Sequence, residues 1–304
     1  MRAERTGLAE REIRNLRCRH AMPQPEPALP SAAPSPCPAC ARSLPLVAVD
    51  VGNSRTKLGL FLGQSPGPLP QPARAVGLAG EGPDLDRIAQ ELLAGVGRVG
   101  SWWIGSVNRP AATRLLDWLR EHRPEERVVL LASGDLPLAV ALDRPDMVGI
   151  DRLLDAVAAN HLRQPGQPAM VVDVGSAITV NLISAEGAFL GGSILPGIAM
   201  SARAMHAFTD LLPLLDMSEL GSPPPPLGDS TMAAMRSGLF WGAVGAIREL
   251  VRRLAGNDPP QVQVFLTGGA SPAVAGLLGE TAQHVPHLTL AGIALTAATA
   301  VPER

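Results

Sequence analysis

One short pattern occurs twice in this chain, and its repetition limits the possible folds more than any other feature. An apolar run ends in Asp50-Val-Gly52 and is followed by a second apolar run, and the same order recurs around Asp173-Val-Gly175. Each copy has the pattern of a buried strand, a tight turn and a returning strand, which is a hairpin. Because the repeat is too long for a solenoid, it predicts two similar domains that face each other.

Strands and helices alternate around the two hairpins. Further strands are predicted at 102–105, 128–131, 189–195 and 262–266, and helices at 85–94, 111–121, 149–159 and 231–254, with two helical stretches closing the chain. A linker is predicted at 164–168, which divides the folded part into domains at 45–165 and 166–304. This is an α/β plan of duplicated actin-like (ribonuclease H-like) domains. Sugar kinases and heat-shock ATPases share that plan and bind nucleotide in the cleft between the domains.

Composition excludes several classes of protein. Hydrophobic residues make up 46% of the chain and charged residues 18%, which is typical of a folded globular protein. The formal net charge is −2 and no long basic stripe occurs, so nucleic acid is not an expected partner. No uncharged apolar run reaches the ~20 residues of a membrane span. We therefore expect a cytoplasmic protein with no membrane partner.

Residues 1–44 differ from the rest of the sequence. They contain all three cysteines, and Cys37-Pro-Ala-Cys40 with Cys18 and His20 could be imagined as a zinc site. The spacing lacks a second tight pair, and a tract rich in Pro, Ala and Ser (22–36) has no hydrophobic periodicity to position ligands. This composition predicts a disordered extension, or a start placed too early, rather than a zinc domain.

The first turn has the residues of a phosphate loop. Gly52 lets the backbone approach an anion, Asn53 and Ser54 can donate hydrogen bonds, and Lys57 adds a positive charge. An ordinary hairpin uses the same turn residues, so the pattern by itself favours neither interpretation. Recurrence of the pattern around Asp173 favours function, because a simple turn need not recur with its polar residues.

Two other glycine-rich segments differ in what they indicate about nucleotide binding. Thr267-Gly-Gly269 follows an apolar strand and predicts a third loop on the phosphate or adenosine side of a nucleotide. Gly95-Val-Gly-Arg-Val-Gly100 matches a dinucleotide-binding pattern, but it follows a helix and precedes a strand. That order is the reverse of the dinucleotide fold, so we interpret the segment as a connector.

Asp151 lies in the first turn of its predicted helix, beside Arg152. One interpretation is a capping carboxylate stabilised by the helix dipole. The other is a base that accepts the proton of an acceptor hydroxyl while Arg152 holds an anionic group. A helix N-terminus makes a carboxylate a weak base, which suffices where a loose phosphoryl-transfer transition state makes positioning dominant.

From Leu46 onward the chain resembles type III pantothenate kinase. The resemblance rests on an ordered set of motifs: Asp50-Val-Gly-Asn-Ser54, Gly149-Ile-Asp-Arg152, Asp173-Val-Gly-Ser-Ala-Ile-Thr179, Gly191-Gly-Ser-Ile-Leu-Pro-Gly197, Thr209-Asp-Leu-Leu-Pro213, Asp229-Ser-Thr231, Ser237-Gly238 and Thr267-Gly-Gly269. The resemblance implies ATP-dependent phosphorylation of pantothenate, the first step of coenzyme A synthesis. It also implies ATP with Mg²⁺, a monovalent cation (K⁺ or NH₄⁺), and a homodimer with its substrate pocket at the subunit interface.

The same resemblance implies a role for each motif residue. Asp151 would be the catalytic proton acceptor, and Asp173 would bind the monovalent cation. ATP would be bound by Asp50, Val51, Gly52, Asn53, Ser54, Arg55, Thr56, Lys57 and Ser176, and pantothenate by Gly149, Ile150, Asp151, Arg152 and Thr231. The Gly238-x-x-x-Gly242 motif would permit close helix approach at a dimer interface, or equally in the core.

Three departures from the family pattern affect the site rather than the fold. Leu142 stands where the family usually has a tyrosine, and the chain has no tyrosine at all. Ser176 replaces the usual threonine and keeps its hydroxyl, and Asn181 replaces the usual aspartate. Two alternatives therefore stay open beside the kinase: a non-catalytic regulatory homologue like the Bvg accessory factor, and an ATPase of the same fold. Retention of Asp50 and Asp173 together with Asp151 and Arg152 favours the enzyme.

Overall fold

The structure is a computed structural model that describes residues 45–300, except 64–66, 80–84, 217–221, 257–261 and 280–281. The predicted extension at 1–44 and its zinc alternative lie outside the described residues. Within the part of the chain that the structure describes, no helix combines the length and apolar character needed to cross a membrane.

The first hairpin opens a five-stranded sheet. Its strands are β1 (Leu46–Val51), β2 (Arg55–Phe61), β3 (Arg74–Ala79), β4 (Ser101–Ser106) and β5 (Arg127–Leu130), and the helices α1 (Leu85–Leu93) and α2 (Arg109–His122) connect them. The strand order is β3-β2-β1-β4-β5. β1 pairs antiparallel with β2 and parallel with β4, so the predicted hairpin supplies the centre of the sheet.

The second hairpin opens another five-stranded sheet with the same plan. After helix α3 (Ile150–Leu162) come β6 (Ala169–Val174), β7 (Ala177–Ile183), β8 (Phe189–Pro196), α4 (Ile198–Ala207), α5 (Thr231–Ala255), β9 (Gln263–Thr267), α6 (Ser271–Val274), β10 (Ala282–His284) and α7 (Leu288–Thr299). The order is β10-β9-β6-β7-β8, the same as in the first sheet when strands are matched in sequence. The predicted duplicated α/β architecture is confirmed.

Three elements were not predicted. Strand β3 pairs only with β2 at the edge of its sheet, and β10 has three residues and pairs with β9. These strands depend on backbone pairing with distant residues, so their own sequences carry little signal. Helix α4 follows a Pro-Gly pair, which local reasoning takes as a break. The prediction of two closing helices was incomplete because β10 lies between α6 and α7.

Helices α3 and α7 join the two sheets into one core. The C-terminal helix α7 packs against α3 and against β1, β2 and β4 of the first sheet, while α3 also contacts β6 and β7 of the second. The core cluster around these helices contains Ala48 and Trp103 from the first sheet and Val171 and Phe265 from the second. The last helix of the chain therefore covers the first sheet, and the boundary at 165/166 stays a prediction.

The two helices approach each other closely at Gly292. A Cβ at this position of α7 would overlap the Leu154 carbonyl oxygen of α3. Since both residues lie in the buried core, neither helix can move aside without disturbing its packing on a sheet.

We expect Gly292→Ala to lower the free energy of unfolding by about 1–3 kcal/mol, because the added methyl group overpacks the contact with Leu154. Denaturant unfolding of the purified protein measures this change. Gly276→Ala is the control, because no atom lies within 4 Å of the Cβ that it adds. Equal stability of both variants would show that the helix contact is loose.

Candidate active site

The two hairpins present their aspartates at corresponding ends of the central strands. The Gly52 N–H donates to the Arg55 carbonyl oxygen and the Gly175 N–H to the Ala177 carbonyl oxygen, each at 3.0 Å. Asp50 is buried, and so is the Oδ1 atom of Asp173. Burial raises the pKa of each carboxyl from 3.8 to about 6, and the nearby charge of Asp151 adds to the rise.

Lys57 is the cation that faces these carboxylates. It lies directly opposite Asp50 in the β1–β2 ladder, and its Nζ is 3.6 Å from Asp50 Oδ2. Burial by itself lowers the pKa of Lys57, but Asp50, Asp173 and Asp155 raise it, and the net direction is upward. Lys57 therefore stays charged and offsets part of the negative charge of the site.

The corresponding position opposite Asp173 is Thr179, not a charged residue. The second turn is one residue shorter than the first. When the two hairpins are compared by strand pairing, Thr179 therefore corresponds to Lys57 and not to Thr56. The two hairpins are therefore equivalent in backbone but not in charge. The first carries a cation opposite its aspartate, and the second carries a hydroxyl.

The Asp173 carboxylate has the character of a cation ligand. Its Oδ1 atom is buried and has no hydrogen-bond partner among the described residues. Gly268 closes over this oxygen with a φ of 101°, and a Cβ there would overlap it. An unpaired, buried carboxylate oxygen costs free energy unless a proton, a hydrogen-bond donor or a cation pairs with it, so these residues are compatible with the predicted monovalent cation. No group of three or more His, Cys, Asp or Glu among the described residues could hold a metal ion.

A hydrogen-bond chain supports the loop over Asp173. The Ser271 hydroxyl is fully buried and donates to the Gly268 carbonyl oxygen at 2.6 Å. Ser271 Oγ is also 2.9 Å from His284 Nε2. Since the hydroxyl has one proton and donates it to Gly268, Nε2 is the donor to Ser271. β10 thus contributes His284 to the support of the site, which no local motif indicates.

Asp155 is a site residue that the sequence analysis missed. It lies four residues after Asp151 on α3, is fully buried, and accepts a hydrogen bond of 2.8 Å from the Thr289 hydroxyl of α7. Burial raises its pKa well above the ordinary value, and the Asp173 charge adds to the rise. The i, i+4 spacing from Asp151 was the available signal, because such residues share one helix face.

Asp151 occupies the first turn of α3, as predicted. Gly149 is the N-cap and forms no side-chain cap, while Asp151 Oδ1 accepts the Arg152 N–H at 2.8 Å. The carboxylate is partly exposed, and its charge acts on Asp50, Asp155 and Asp173. The capping contact and a role in chemistry are compatible, because the second carboxylate oxygen has no hydrogen-bond partner among the described residues.

The Arg152 side chain is held by the second sheet. Its Nε donates to Asn181 Oδ1 at 2.8 Å, and Asn181 Nδ2 donates to Thr179 Oγ1 at 3.0 Å. The guanidinium carbon lies 5.5 Å from the centre of the Phe189 ring. Asn181, predicted only as a departure from the family pattern, is fully buried and orients Arg152.

A cavity of about 300 Å³ opens beside Lys57. Its walls include Arg55 and Lys57 of β2, the Gly268–Gly269 backbone after β9, and His287 at the start of α7. His287 has a left-handed backbone with a φ of 58°, and burial lowers its pKa. Two basic side chains and the N-terminus of a helix give the cavity a preference for anions.

The remaining predicted residues fall into three groups. Asn53 and Ser54 are exposed on the first turn, and Thr56 and Ser176 are partly exposed. The side chains of Val51 and Ile150 are buried in the core, so only their backbone can contact a ligand. Thr231 is exposed at the first position of α5 and makes no hydrogen bond to the other site residues that the structure describes.

Comparisons with known proteins agree on one family. A family model described as type III pantothenate kinase matches residues 46–253. The type III pantothenate kinase of Parafrankia sp. is 34% identical over 257 residues, covering 82% of this chain and 96% of the relative. That of Acidiphilium cryptum is 36% identical over 194 residues, covering 64% and 71%. The solved structure described as a Baf family transcriptional activator from Campylobacter jejuni has a TM-score of 0.52 at 20% identity, covering 82% of this chain and 96% of that chain, which shows a shared fold.

We expect Asp173→Asn to stabilise the protein at pH 8 but not at pH 4. Because the folded state raises the pKa of Asp173 from 3.8 to about 6, the wild type loses stability as the pH rises through that window, and asparagine has no such loss. The gain is about 3 kcal/mol. Thermal unfolding in choline buffers, free of small monovalent cations, measures it. The exposed Asp143→Asn is the control, and an equal gain at both pH values would contradict the assignment.

Proposed function

The chain belongs to the type III pantothenate kinase family, and we propose that it transfers the γ-phosphoryl group of ATP to the primary hydroxyl of pantothenate, the first step of coenzyme A synthesis. The observation that carries this proposal is the cluster of Asp50, Lys57, Asp151 and Asp173, whose charges act on one another at the ends of the two hairpins. A protein that only binds other molecules has no need of three carboxylates in one partly buried cluster. We expect the enzyme in the cytoplasm.

The first hairpin and the cavity beside it suit the ATP phosphates. The exposed residues Asn53 and Ser54 offer their backbone N–H groups and side chains, and Arg55 and Lys57 supply positive charge. Magnesium, when bound with ATP, neutralises phosphate charge, and Asp50 is the carboxylate of this hairpin that would share in holding it. The Gly268–Gly269 loop forms the opposite wall.

Asp151 is the proposed proton acceptor for the hydroxyl of pantothenate. It is partly exposed, whereas Asp50 is buried and Asp155 is buried and hydrogen-bonded to Thr289. A carboxylate that a substrate can reach can accept a proton as the hydroxyl oxygen attacks phosphorus. Arg152, oriented by Asn181, is placed to hold the carboxylate of the same acceptor molecule.

Asp173 is the proposed ligand of a monovalent cation, K⁺ or NH₄⁺. Its unpaired Oδ1 supports this role, and backbone oxygens of the surrounding loops would complete the coordination. Lys57 faces Asp50 as well as Asp173, so its charge does not neutralise both carboxylates. Such a cation would supply the second positive charge. We propose that the cation holds the second hairpin and the Gly268 loop in place while ATP is bound.

The proposed homodimer is supported by an apolar surface near α4 and α5. Phe208, Leu211 and Leu227, which flank these helices in the sequence, are each at least 85% exposed, and such exposure of large apolar side chains is typical of interaction surfaces. Gly238 and Gly242 on α5 are exposed, and no described atom lies within 4 Å of a Cβ built on either. The motif therefore does not pack against the described chain, which supports the interface interpretation. Exposed Thr231 begins the same helix, so a partner subunit would bring it to a substrate pocket.

We expect the purified protein to form ADP in a manner that depends on pantothenate, with higher activity in potassium than in choline buffer. Asp151→Asn should lower kcat by ~10²–10⁴ through loss of the proton acceptor, with ATP binding unchanged. A coupled ADP assay and a nucleotide titration measure the two quantities.

Asp146→Asn is the matched control, because Asp146 is an exposed carboxylate paired with Arg144 a few residues before Asp151. It should leave turnover unchanged. Pantothenate-independent ADP formation would indicate the ATPase alternative. ATP binding without any turnover would indicate the regulatory one, and full activity of Asp151→Asn would remove it as the base.

We expect Phe208→Glu combined with Leu211→Glu to convert a dimer into a monomer, because buried carboxylates would face the partner's apolar surface. Light scattering coupled to size-exclusion chromatography measures the mass. Leu62→Glu, at another exposed leucine, is the control. A wild-type protein that is monomeric at high concentration contradicts the proposed assembly, and a dimer that survives both substitutions places the interface elsewhere.

A further inference from the structure

Both the oxygen and the nitrogen of the Asn181 side-chain amide form hydrogen bonds in the core of the second sheet. It is fully buried on β7, its Oδ1 accepts from Arg152 Nε at 2.8 Å, and its Nδ2 donates to Thr179 Oγ1 at 3.0 Å. Because Arg152 Nε can only donate, the oxygen of the amide must face it. The hydroxyl of Thr179 then fixes the other end of the amide, so the direction of the Arg152 side chain is set by a neutral group.

Arg152 forms no ion pair within 4 Å in the described chain, and the nearby charge that acts on it is that of Asp151 at the proposed site. None of the ion pairs within 4 Å that the structure gives for residues 45–300 involves Arg152, and its contact with Phe189 is to an aromatic face. One of its five N–H groups is used by Asn181, and its Nη atoms have no hydrogen bond to any described residue. The side chain is partly exposed, so a ligand can reach these donors.

Resting on the proposed function, we propose that Asn181 determines specificity for an anionic acceptor, because it orients Arg152 without neutralising it. An aspartate at this position could accept the same hydrogen bond. It would also form an ion pair with the guanidinium and reduce the attraction that Arg152 exerts on the carboxylate of the acceptor. The amide therefore leaves the positive charge for the substrate.

The test compares pantothenate with panthenol, the alcohol that has the same hydroxyl-bearing part but no carboxylate. We expect Asn181→Asp to raise the KM for pantothenate about tenfold, because the pantothenate carboxylate would lose the attraction of an unneutralised Arg152. The inhibition constant of panthenol and the KM for ATP should not change. A purely structural effect of the substitution would instead alter all three constants together.

The chain offers a matched control in Asn160. Asn160 Oδ1 accepts from Nε of Arg163, the residue that follows α3, and its Nδ2 donates to the Gly187 carbonyl oxygen, so Asn160→Asp makes the same chemical change away from the site. This variant should leave the KM for pantothenate as in the wild type. An equal rise in both variants would attribute the effect to a general loss of stability and overturn the proposal.

A measurement on the wild type keeps the proposal testable if Asn181→Asp does not fold. The wild type should bind pantothenate about tenfold more tightly than panthenol, and the preference should weaken as salt screens the charge. Equal binding of the two compounds overturns the inference. An unchanged KM for pantothenate in folded Asn181→Asp also overturns it. A change confined to kcat and the KM for ATP overturns it too, because that result would place Arg152 against the phosphoryl group. Absence of pantothenate turnover in the wild type contradicts the proposed function itself.

Discussion

The site depends on the cost of burying carboxylates. Asp50, Asp155 and Asp173 lie in or against the core, and burial raises the pKa of each. Lys57 is the cation among the described residues that faces all three, and a single lysine cannot neutralise them. A site with this imbalance favours the binding of cations, and a proposed K⁺ or NH₄⁺ at Asp173 and magnesium delivered with ATP would restore the balance.

The pair of helices between the sheets brings the carboxylates together. Helix α3 contacts both sheets, so Asp151 and Asp155, one turn apart, lie near the aspartates of both hairpins. Helix α7 fixes Asp155 through Thr289 and lines the cavity beside Lys57 with its first residues. The site and the core therefore both depend on the close contact between α3 and α7 at Gly292.

The duplicated hairpins have diverged in charge while keeping their backbone. Lys57 opposite Asp50 makes the first hairpin suitable for phosphate, and Thr179 opposite Asp173 leaves the second suitable for a cation. Thr179 also holds the amide of Asn181, which orients Arg152. We therefore propose that the second hairpin serves the acceptor side of the reaction, although its sequence resembles the proposed nucleotide loop of the first.

The sequence by itself determined the elements whose signals are local. The two hairpins, the α2 helix, predicted at 111–121 and observed at Arg109–His122, and the long α5 helix all follow from apolar periodicity and turn residues. Asp50, Asp151 and Asp173 could be named because each belongs to a short motif. Tertiary structure alone decided the packing of α7 on the first sheet and the roles of Asp155, Asn181 and His284. Each of these depends on contacts between residues far apart in the chain, and a side chain's burial and partners are not encoded by its neighbours in sequence.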